Sequence, residues 1–253
     1  MDLPGGFIAS IREQDKIEAV VASVGFDDLL DVTLPHTLTQ VDAAYVVTSM
    51  TDAKTVQVCR KHGAVPIQTD AFGTSEGRFL KGQGLNLGLI RMQYHGWRVA
   101  LDADIILPPH FRRVVVNHET LDVQCLYGAD RVNLVGPESW GRARAAQWGV
   151  QDQVHTGLPI GPRLVTPAHG YIPIGYFQMW HSKGQKMYPS TAGGAGLDDV
   201  AFALQWPRSH RRLLPSLIVY QVCVAEPVSA ENWDGVRRHP RVPTTDGVSE
   251  EAE

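Results

Sequence analysis

Residues 97–109 read WRVALDADIILPP, an apolar segment with two carboxylates at its centre. The residues before Asp102 have the composition of a strand that is buried on both faces, as parallel strands usually are. Ligands of open α/β sheets bind beyond the carboxyl ends of the strands, so we expect Asp102 and Asp104 to face such a crevice. Although an isolated D-x-D pattern is also typical of a helix cap or a solvated turn, carboxylates at this place call for a cation. Mg²⁺ or Mn²⁺, which prefers oxygen ligands, suits them.

Strand and helix signals alternate on the N-terminal side of this segment. Predicted strands cover residues 19–24, 43–48 and 65–68, and predicted helices cover residues 27–40, 52–62 and 81–94. Pro35 is expected to break or end the first helix. The alternation predicts a Rossmann-like, mostly parallel sheet flanked by helices. The second half is less regular, with strands predicted at 123–135, 171–181 and 213–224 and helices at 137–151 and 197–206. It indicates an α/β protein whose second half is mixed.

Length and composition fit one large domain. The chain has 253 residues, of which 43% are hydrophobic and 20% charged, so a sizeable core is available. A net charge of -4 disfavours a protein that coats nucleic acid by bulk charge.

The cysteines and the hydropathy pattern bear on the compartment. The three cysteines are far apart and are predicted to be buried free thiols of a reducing compartment: Cys59, Cys125 and Cys223. No apolar run reaches membrane-spanning length and the N-terminus lacks the plan of a signal peptide, so we expect a cytoplasmic protein without membrane association.

The order of features over residues 20–111 resembles the nucleotide-binding half of family 2 glycosyltransferases and their GT-A relatives. These features are the turn VTSMTDAKT at 47–55, the helix start GLNLGL at 84–89 and the DAD segment at 102–104. The resemblance implies one GT-A domain over residues 15–225, with a nucleotide-sugar half at about 15–112, an acceptor half at about 113–225 and a polar tail at 226–253. It also implies a metal-dependent glycosyltransferase that uses a nucleotide sugar, with a UDP-sugar as the expected donor.

The same resemblance assigns roles on the donor side. Asp102 and Asp104 would hold Mn²⁺ or Mg²⁺, and His181 stands where GT-A enzymes often carry a further metal ligand. The other position for that ligand, near Tyr220, holds Gln221. The residues expected to contact the nucleotide sugar are Thr48, Asp52, Lys81, Asn86 and Asp102. Two alternatives stay open, since a solvated loop lysine would also explain Lys81 and a hydrogen-bonded core histidine would explain His181.

The segment GLDDVAF at residues 196–202 resembles the acidic pair that opens an acceptor-side helix in inverting enzymes of this class. The resemblance makes Asp199 the general base that deprotonates the acceptor hydroxyl. Carboxylates are favoured at a helix N-terminus, and Asp198 is expected to cap this helix. A retaining mechanism, which needs no such base, remains an alternative.

The acceptor is the least determined part of the prediction. Candidates for an aromatic acceptor wall are Trp140, Trp148 and Trp180. Three basic clusters comprise Arg142 and Arg144, then Arg208, His210, Arg211 and Arg212, and then Arg237, Arg238 and Arg241. Such clusters fit a polyanion, and a compact GT-A enzyme without an anchor resembles the phage-type enzymes that glycosylate hydroxylated bases in DNA. A glycan or small-molecule acceptor is the alternative, as is a non-catalytic module that binds a nucleotide sugar or nucleic acid.

A sugar-phosphate nucleotidyltransferase is a further class with a related sheet and metal-binding acids. Such an enzyme would carry a glycine-rich loop with Arg and Lys after its first strand. This chain reads SVGFD at 23–27 and lacks that loop.

Overall fold

A computed structural model of the protein describes residues 16–73, 79–117, 121–136, 139, 160–184, 186–190, 195–223 and 241–242. Strands and helices alternate over the first half, as predicted. The strands are β1 (Ile17–Ala22), β2 (Ala43–Ser49), β3 (Val65–Thr69), β4 (Trp97–Asp102), β5 (Ile105–Ile106), β6 (Leu126–Val135), β7 (Val165–Thr166), β8 (Gly170–Tyr171), β9 (Phe177–His181) and β10 (Arg211–Cys223). The helices are α1 (Asp27–Leu38), α2 (Ala53–His62), α3 (Lys81–Arg91), α4 (Phe111–Val116) and α5 (Ala195–Ala203).

Eight strands form one sheet in the order β3-β2-β1-β4-β9-β6-β10-β5, and β7 pairs with β8 separately. Strands β1 to β4 run parallel to one another, and β10 runs parallel to β6. Strand β9 is antiparallel to both β4 and β6, and β5 is antiparallel to β10. The prediction of a mostly parallel sheet with a mixed second half is therefore confirmed. Strands β1, β2, β3, β4, β6 and β10 all end at the same edge, which we call the carboxyl edge, and β9 begins there.

Alternate residues of the central strands face two different helical layers. Ile17, Ala19 and Val21 of β1 pack with α1, α2 and α4, whereas Val20 packs with α3 and α5. Both faces of β1 are therefore buried, which explains its continuous apolar sequence. The sheet thus lies between two layers of helices. The first turns of α3 and α5 are in contact at the carboxyl edge.

Two glycines allow helix α3 to lie close to the sheet. A Cβ atom on Gly88 would stand 2.3 Å from Val20 Cγ2 and 3.1 Å from Val47 Cγ2. A Cβ atom on Gly84 would stand 2.1 Å from the ring of Phe72. Only glycine permits such an approach, so these two positions determine how deep α3 lies, and with it the height of Lys81 at its first turn.

Some details differ from the sequence-based expectations. Helix α1 continues through Pro35 to Leu38. Proline there lies in the last turn of the helix, so few hydrogen bonds of α1 depend on its missing N–H. Val242, from the predicted tail, is buried beside Leu29, and its N–H donates to Asp28 Oδ2 at 2.6 Å.

Other expectations have simpler outcomes. The three cysteines are buried and free, as predicted. In the described part of the chain no helix is long and apolar enough to cross a membrane. The helix predicted at 137–151 lies almost wholly outside the described residues, and the acidic C-terminus lies wholly outside them.

We expect Gly88→Ala to destabilise the protein by about 1–3 kcal/mol, the usual cost of overpacking a core. The clash with Val20 has to exceed the gain of about 1 kcal/mol that alanine brings to a helix. Gly184→Ala is the matched control, because nothing lies within 4 Å of its added Cβ. Urea unfolding of the two variants measures the difference. Equal stability of the two variants would contradict the close packing of α3.

Candidate active site

The carboxyl edge places a buried lysine between two carboxylates. Lys81 Nζ lies 2.6 Å from Asp102 Oδ1 at the end of β4 and 3.3 Å from Asp199 Oδ2 in α5. It also lies 3.5 Å from the carbonyl oxygen of Gly175, just before β9. Only 7% of Lys81 is exposed. The alternative of a solvated loop lysine is therefore wrong, since Lys81 joins three elements from inside the protein.

The charges of this group depend on one another. Burial lowers the pKa of Lys81, but the carboxylates of Asp102 and Asp199 outweigh burial and raise its pKa above the ordinary value, so the amine stays protonated. Burial, together with the neighbouring Asp102 and Asp198, raises the pKa of Asp199 to about 6 despite the opposing effect of Lys81. Asp199 Oδ1 is buried and has no hydrogen-bond partner among the described residues. Asp199 thus has one oxygen, Oδ1, available to accept a hydrogen bond, and its raised pKa makes it a stronger base than an ordinary aspartate.

The backbone around Asp199 is held by residues for which the sequence offered no local motif. A Cβ atom on Gly175 would stand 1.7 Å from Asp199 Oδ2, so the carboxylate packs directly on the glycine. Gln178 donates its side-chain amide to the carbonyl of Asp199 at 2.9 Å and accepts from the hydroxyl of Tyr188 at 2.7 Å. These contacts link residues far apart in the chain, which is why they leave no mark on the periodicity of any one segment.

Asp198 caps a helix, but not the one that contains it. Its Oδ2 accepts a hydrogen bond of 2.7 Å from the N–H of Gly82, in the first turn of α3. The residue before that helix, Leu80, provides no side-chain cap. The predicted capping of the helix that carries Asp198 is therefore corrected to capping of α3, and the contact joins the starts of the two helices.

Asp104 lies in the turn between β4 and β5. Its Oδ2 accepts from Gln221 Nε2 at 2.8 Å, while its Oδ1 is buried with no partner among the described residues. Burial raises the pKa of Asp104 to about 6, and the nearby charge of Asp102 raises it as well. An unsatisfied carboxylate oxygen beside a second carboxylate fits a hard cation such as Mn²⁺ or Mg²⁺. The described residues contain no group of three or more His, Cys, Asp and Glu side chains suited to a metal.

His181 does not belong to this site. In the antiparallel pairing of β9 with β4, Phe177 lies opposite Leu101 and His181 lies opposite Trp97. His181 is thus at the opposite edge of the sheet from Asp102, about 16 Å along the strand at the usual rise per residue. Its ring packs edge-on against that of Trp97. The prediction of a metal ligand at His181 is wrong.

The other predicted donor contacts are engaged within the protein. Asp52 caps α2 through Thr55, and its carboxylate also accepts from Gly25 N and Thr48 Oγ1. Burial opposes ionisation of Asp52, yet these hydrogen bonds hold its pKa below the ordinary value. Asn86 exchanges two hydrogen bonds with the backbone of Tyr188. These side chains shape the carboxyl edge, and their direct contact with a donor stays a prediction.

The aromatic and basic candidates for the acceptor are distributed differently from expectation. Trp180 is 1% exposed and packs against Phe202 in the core, so it is not part of an acceptor wall. Arg211 begins β10 opposite Leu126, whereas Gln221 lies opposite Asn133, seven residues further along β6. Arg211 and Arg212 therefore lie about 20 Å from the site at the usual rise of a strand. Of the other predicted candidates, Arg241 pairs with Asp27. Arg208 and His210 lie in a 3-10 turn directly before β10, at the same remote edge. The candidates outside the described residues are Trp140, Arg142, Arg144, Trp148, Arg237 and Arg238.

The strand order and the acidic carboxyl edge define the class of the protein: the chain has the GT-A fold of glycosyltransferases. It is similar to glucosyl-3-phosphoglycerate synthase from Mycobacterium tuberculosis. For the complex of that enzyme with Mn²⁺, UDP and glucosyl-3-phosphoglycerate, the TM-score is 0.53 at 15% identity, covering 93% of this chain and 81% of that chain. For the complex with Mn²⁺, UDP-glucose and glycerol 3-phosphate, it is 0.52 at 15% identity, covering 92% and 81%.

A third complex of the same enzyme, with UDP, has a TM-score of 0.51 at 16% identity and covers 90% of this chain and 79% of that chain. No protein-family model matches the sequence, and no curated protein matches it. At this level of identity the comparison concerns the fold. The assignment of chemistry therefore rests on the residues of this chain.

Replacing Lys81 by methionine should destabilise the protein by about 3–5 kcal/mol near neutral pH, because two carboxylates lose their buried counter-charge. Without the cation the pKa of Asp199, already raised by burial, rises further, so the folded state binds more protons than the unfolded state and the deficit shrinks as the pH falls to about 5. Lys61→Met is the control, since Lys61 pairs with Asp31 at the surface and should cost less than about 1 kcal/mol. Urea unfolding at both pH values measures the effect, and a deficit independent of pH would contradict this account.

Gly175→Ala should displace the carboxylate of Asp199 and reduce stability by about 1–3 kcal/mol. Asp199→Ala removes the group that the new methyl would strike, so in the double variant the glycine substitution should cost much less. A double-mutant cycle by urea unfolding measures this coupling, which is expected to be about 0.5–3 kcal/mol. Strictly additive losses would show that the two residues are not in contact.

Proposed function

We propose that the protein is a metal-dependent glycosyltransferase that moves a sugar from a nucleotide-sugar donor, a UDP-sugar in the first instance, to an acceptor hydroxyl. The observation that carries the proposal is the pairing of Lys81 with Asp102 and Asp199 at the carboxyl edge, next to the unsatisfied oxygen of Asp104. Glucosyl-3-phosphoglycerate synthase, which has the same fold, forms complexes with Mn²⁺ and UDP or UDP-glucose, and this supports the choice of donor and metal.

Asp102 and Asp104 would hold a Mn²⁺ or Mg²⁺ ion, which when bound supplies charge neutralisation for a diphosphate leaving group. The ion pair between Lys81 and Oδ1 of Asp102 orients this carboxylate before a ligand binds. Gln221 does the same for Asp104. The donor is expected over the ends of β1, β2 and β4, where the network of Asp52, Thr48 and Gly25 fixes the loops.

Asp199 would act as the general base of an inverting displacement. Lys81 holds Oδ2, and Oδ1 remains free to accept the proton of the acceptor hydroxyl. As the hydroxyl oxygen bonds to the anomeric carbon, the bond from that carbon to the diphosphate oxygen breaks and the proton passes to Asp199. A pKa of about 6 leaves this carboxylate ionised at neutral pH yet basic enough to take a proton. In a retaining enzyme Asp199 would not be needed as base, and the anomeric configuration of the product distinguishes the two outcomes.

A small hydroxylated molecule or a glycan is the acceptor that we favour over DNA. The basic cluster of Arg211 and Arg212 lies at the opposite edge of the sheet from Asp199, where it could not guide a polyanion into the site. A non-catalytic binding module would explain the fold. It would not require the carboxylate of Asp199 to keep an oxygen without a hydrogen-bond partner beside the buried ammonium group of Lys81.

The test is turnover of UDP-glucose and other UDP-sugars with Mn²⁺, with and without EDTA. Asp199→Asn should lower kcat by about 10²–10⁴-fold, the usual contribution of a general base, while leaving calorimetric UDP binding unchanged. Asp104→Asn should abolish both turnover and Mn²⁺ binding. Asp31→Asn serves as a control, because Asp31 of α1 pairs with Lys61 and His62 of α2 and, within the described structure, shares no hydrogen bond or ion pair with Asp199 or Asp104.

Three outcomes would each overturn a part of the assignment. Binding of UDP without metal-dependent turnover of any UDP-sugar would favour the binding module. Full activity of Asp199→Asn would remove this residue as the base. Transfer to hydroxymethylated DNA, with none to glycans or small alcohols, would show that the acceptor has been misjudged.

A further inference from the structure

Arg131, on strand β6, is a cation without a counter-charge. Its Nε atom is buried and has no hydrogen-bond partner, and its guanidinium group forms no ion pair with any residue that the structure describes. The group lies over the ring of Tyr176, 4.6 Å from its centroid. A stacked guanidinium that is partly removed from water retains its full charge and all its donors, so its desolvation is compensated only in part.

The nearest carboxylate along the strand is not available to Arg131. Both oxygens of Asp130 are taken by Arg163, at 2.6 Å from Nε and 2.7 Å from the second guanidinium nitrogen. The backbone of Arg131 is also fixed, because its carbonyl accepts from Gly161 N at 2.8 Å. The positive charge of Arg131 is therefore held in a fixed place and left uncompensated by its neighbours.

Arg131 lies beside the candidate active site. Its stacking partner Tyr176 accepts a backbone hydrogen bond from Asp102 at 3.4 Å, and Gly175, the residue before Tyr176, packs on Asp199. Arg131 and Asp104 both act on the thiol of Cys223: burial raises its pKa to about 12, Asp104 raises it too and Arg131 opposes them. Through Tyr176 and Gly175, Arg131 is connected to both Asp102 and Asp199.

A second polar side chain continues the same face. Asn133 follows Arg131 by two residues and is paired in register with Gln221, whose amide donates to Asp104. Asn133 Oδ1 and Gln221 Oε1 are buried and have no hydrogen-bond partner in the described ranges. Arg131, Asn133 and Gln221 therefore form a row of unsatisfied polar groups that leads away from Asp104.

The strand order separates this row from the donor. The ends of β1 and β2, where the nucleotide is expected, lie on one side of β4, whereas β6 lies on the other side beyond β9. At the usual spacing of strands, β6 is about 10 Å from β4. An anion bound by Arg131 would therefore lie on the β9 and β6 side of β4, away from the ends of β1 and β2 where the nucleotide is expected.

We propose that Arg131 is a specificity-determining residue that binds a carboxylate or phosphate group of the acceptor, so that the sugar is transferred to small anionic hydroxy compounds. The inference rests on the proposed function, because it takes Asp199 as the base. A guanidinium group offers paired donors that match the planar edge of a carboxylate or two oxygens of a phosphate. With the anion held there, a hydroxyl on a neighbouring carbon of the same small molecule is directed toward Asp199.

The experiment compares glycerol, glycerate and glycerol 3-phosphate as acceptors for the wild-type protein, Arg131→Gln and Arg131→Lys, with UDP-glucose and Mn²⁺. Wild type should prefer the two anionic acceptors. Arg131→Gln should raise their KM by about 30- to 4000-fold, the range for removing one partner of a buried charge pair. Arg131→Lys should recover part of the loss, since it keeps the charge but not the paired donors. Arg212→Gln, which removes the same charge at the far edge of the sheet, should leave every value unchanged.

Two readouts keep this inference separate from the proposed function. Hydrolysis of UDP-glucose without acceptor reports the donor site and should be equal in wild type and Arg131→Gln. Calorimetric binding of glycerol 3-phosphate to the protein without donor should be lost in Arg131→Gln, whether or not turnover is observed. Equal use of glycerol, equal losses in Arg131→Gln and Arg212→Gln, or weakened UDP binding in Arg131→Gln with unchanged acceptor KM would each overturn the proposal. In the last case the anion bound by Arg131 would be the diphosphate of the donor.

Discussion

The buried ammonium group of Lys81 holds the carboxyl edge together. Transfer of a lysine from water to a protein interior is unfavourable unless its charge is paired, and here two carboxylates pair it. Asp102 comes from β4 and Asp199 from α5, and Lys81 itself begins α3, so one ion-paired group fixes three elements relative to one another. The depth of α3 is a precondition, because Gly84 and Gly88 alone let the helix approach the sheet closely enough for the lysine to reach both acids.

In this arrangement the carboxylates at the carboxyl edge carry more negative charge than the single ammonium group of Lys81 can neutralise. Lys81 compensates part of the charge of Asp102 and Asp199, while burial and the nearby charge of Asp102 raise the pKa values of Asp104 and Asp199 to about 6. A site of this kind is electrostatically incomplete, and a divalent cation at Asp102 and Asp104 is the species that would complete it. The same imbalance keeps Asp199 basic. Metal binding and proton acceptance are therefore two consequences of one excess of negative charge.

Much of this site could be predicted from local sequence, and the failures share one cause. Asp102 and Asp104 end an apolar strand that is buried on both faces. Lys81 and Asp199 lie in short segments that resemble those of GT-A glycosyltransferases, so short-range patterns were sufficient to find them. His181 was misplaced because its role depended on the direction of β9, and an antiparallel strand carries its C-terminal residue to the opposite edge. Capping of α3 by Asp198 and the contact of Gly175 with Asp199 join segments that are distant in sequence. No periodicity encodes such contacts.

The distribution of positive charge also bears on what the site can accept. Arg211 and Arg212 attract attention in the sequence because they are consecutive, yet they begin β10 at the edge remote from the acids. Arg131 stands alone in sequence, beside an acid that already has a partner, and it lies next to the site. An acidic site repels an anionic ligand, so one fixed cation among carboxylates selects a ligand with a single anionic group at a defined place. A long polyanion would need charge spread along a groove, whereas one stacked guanidinium at the end of a polar row suits a small molecule.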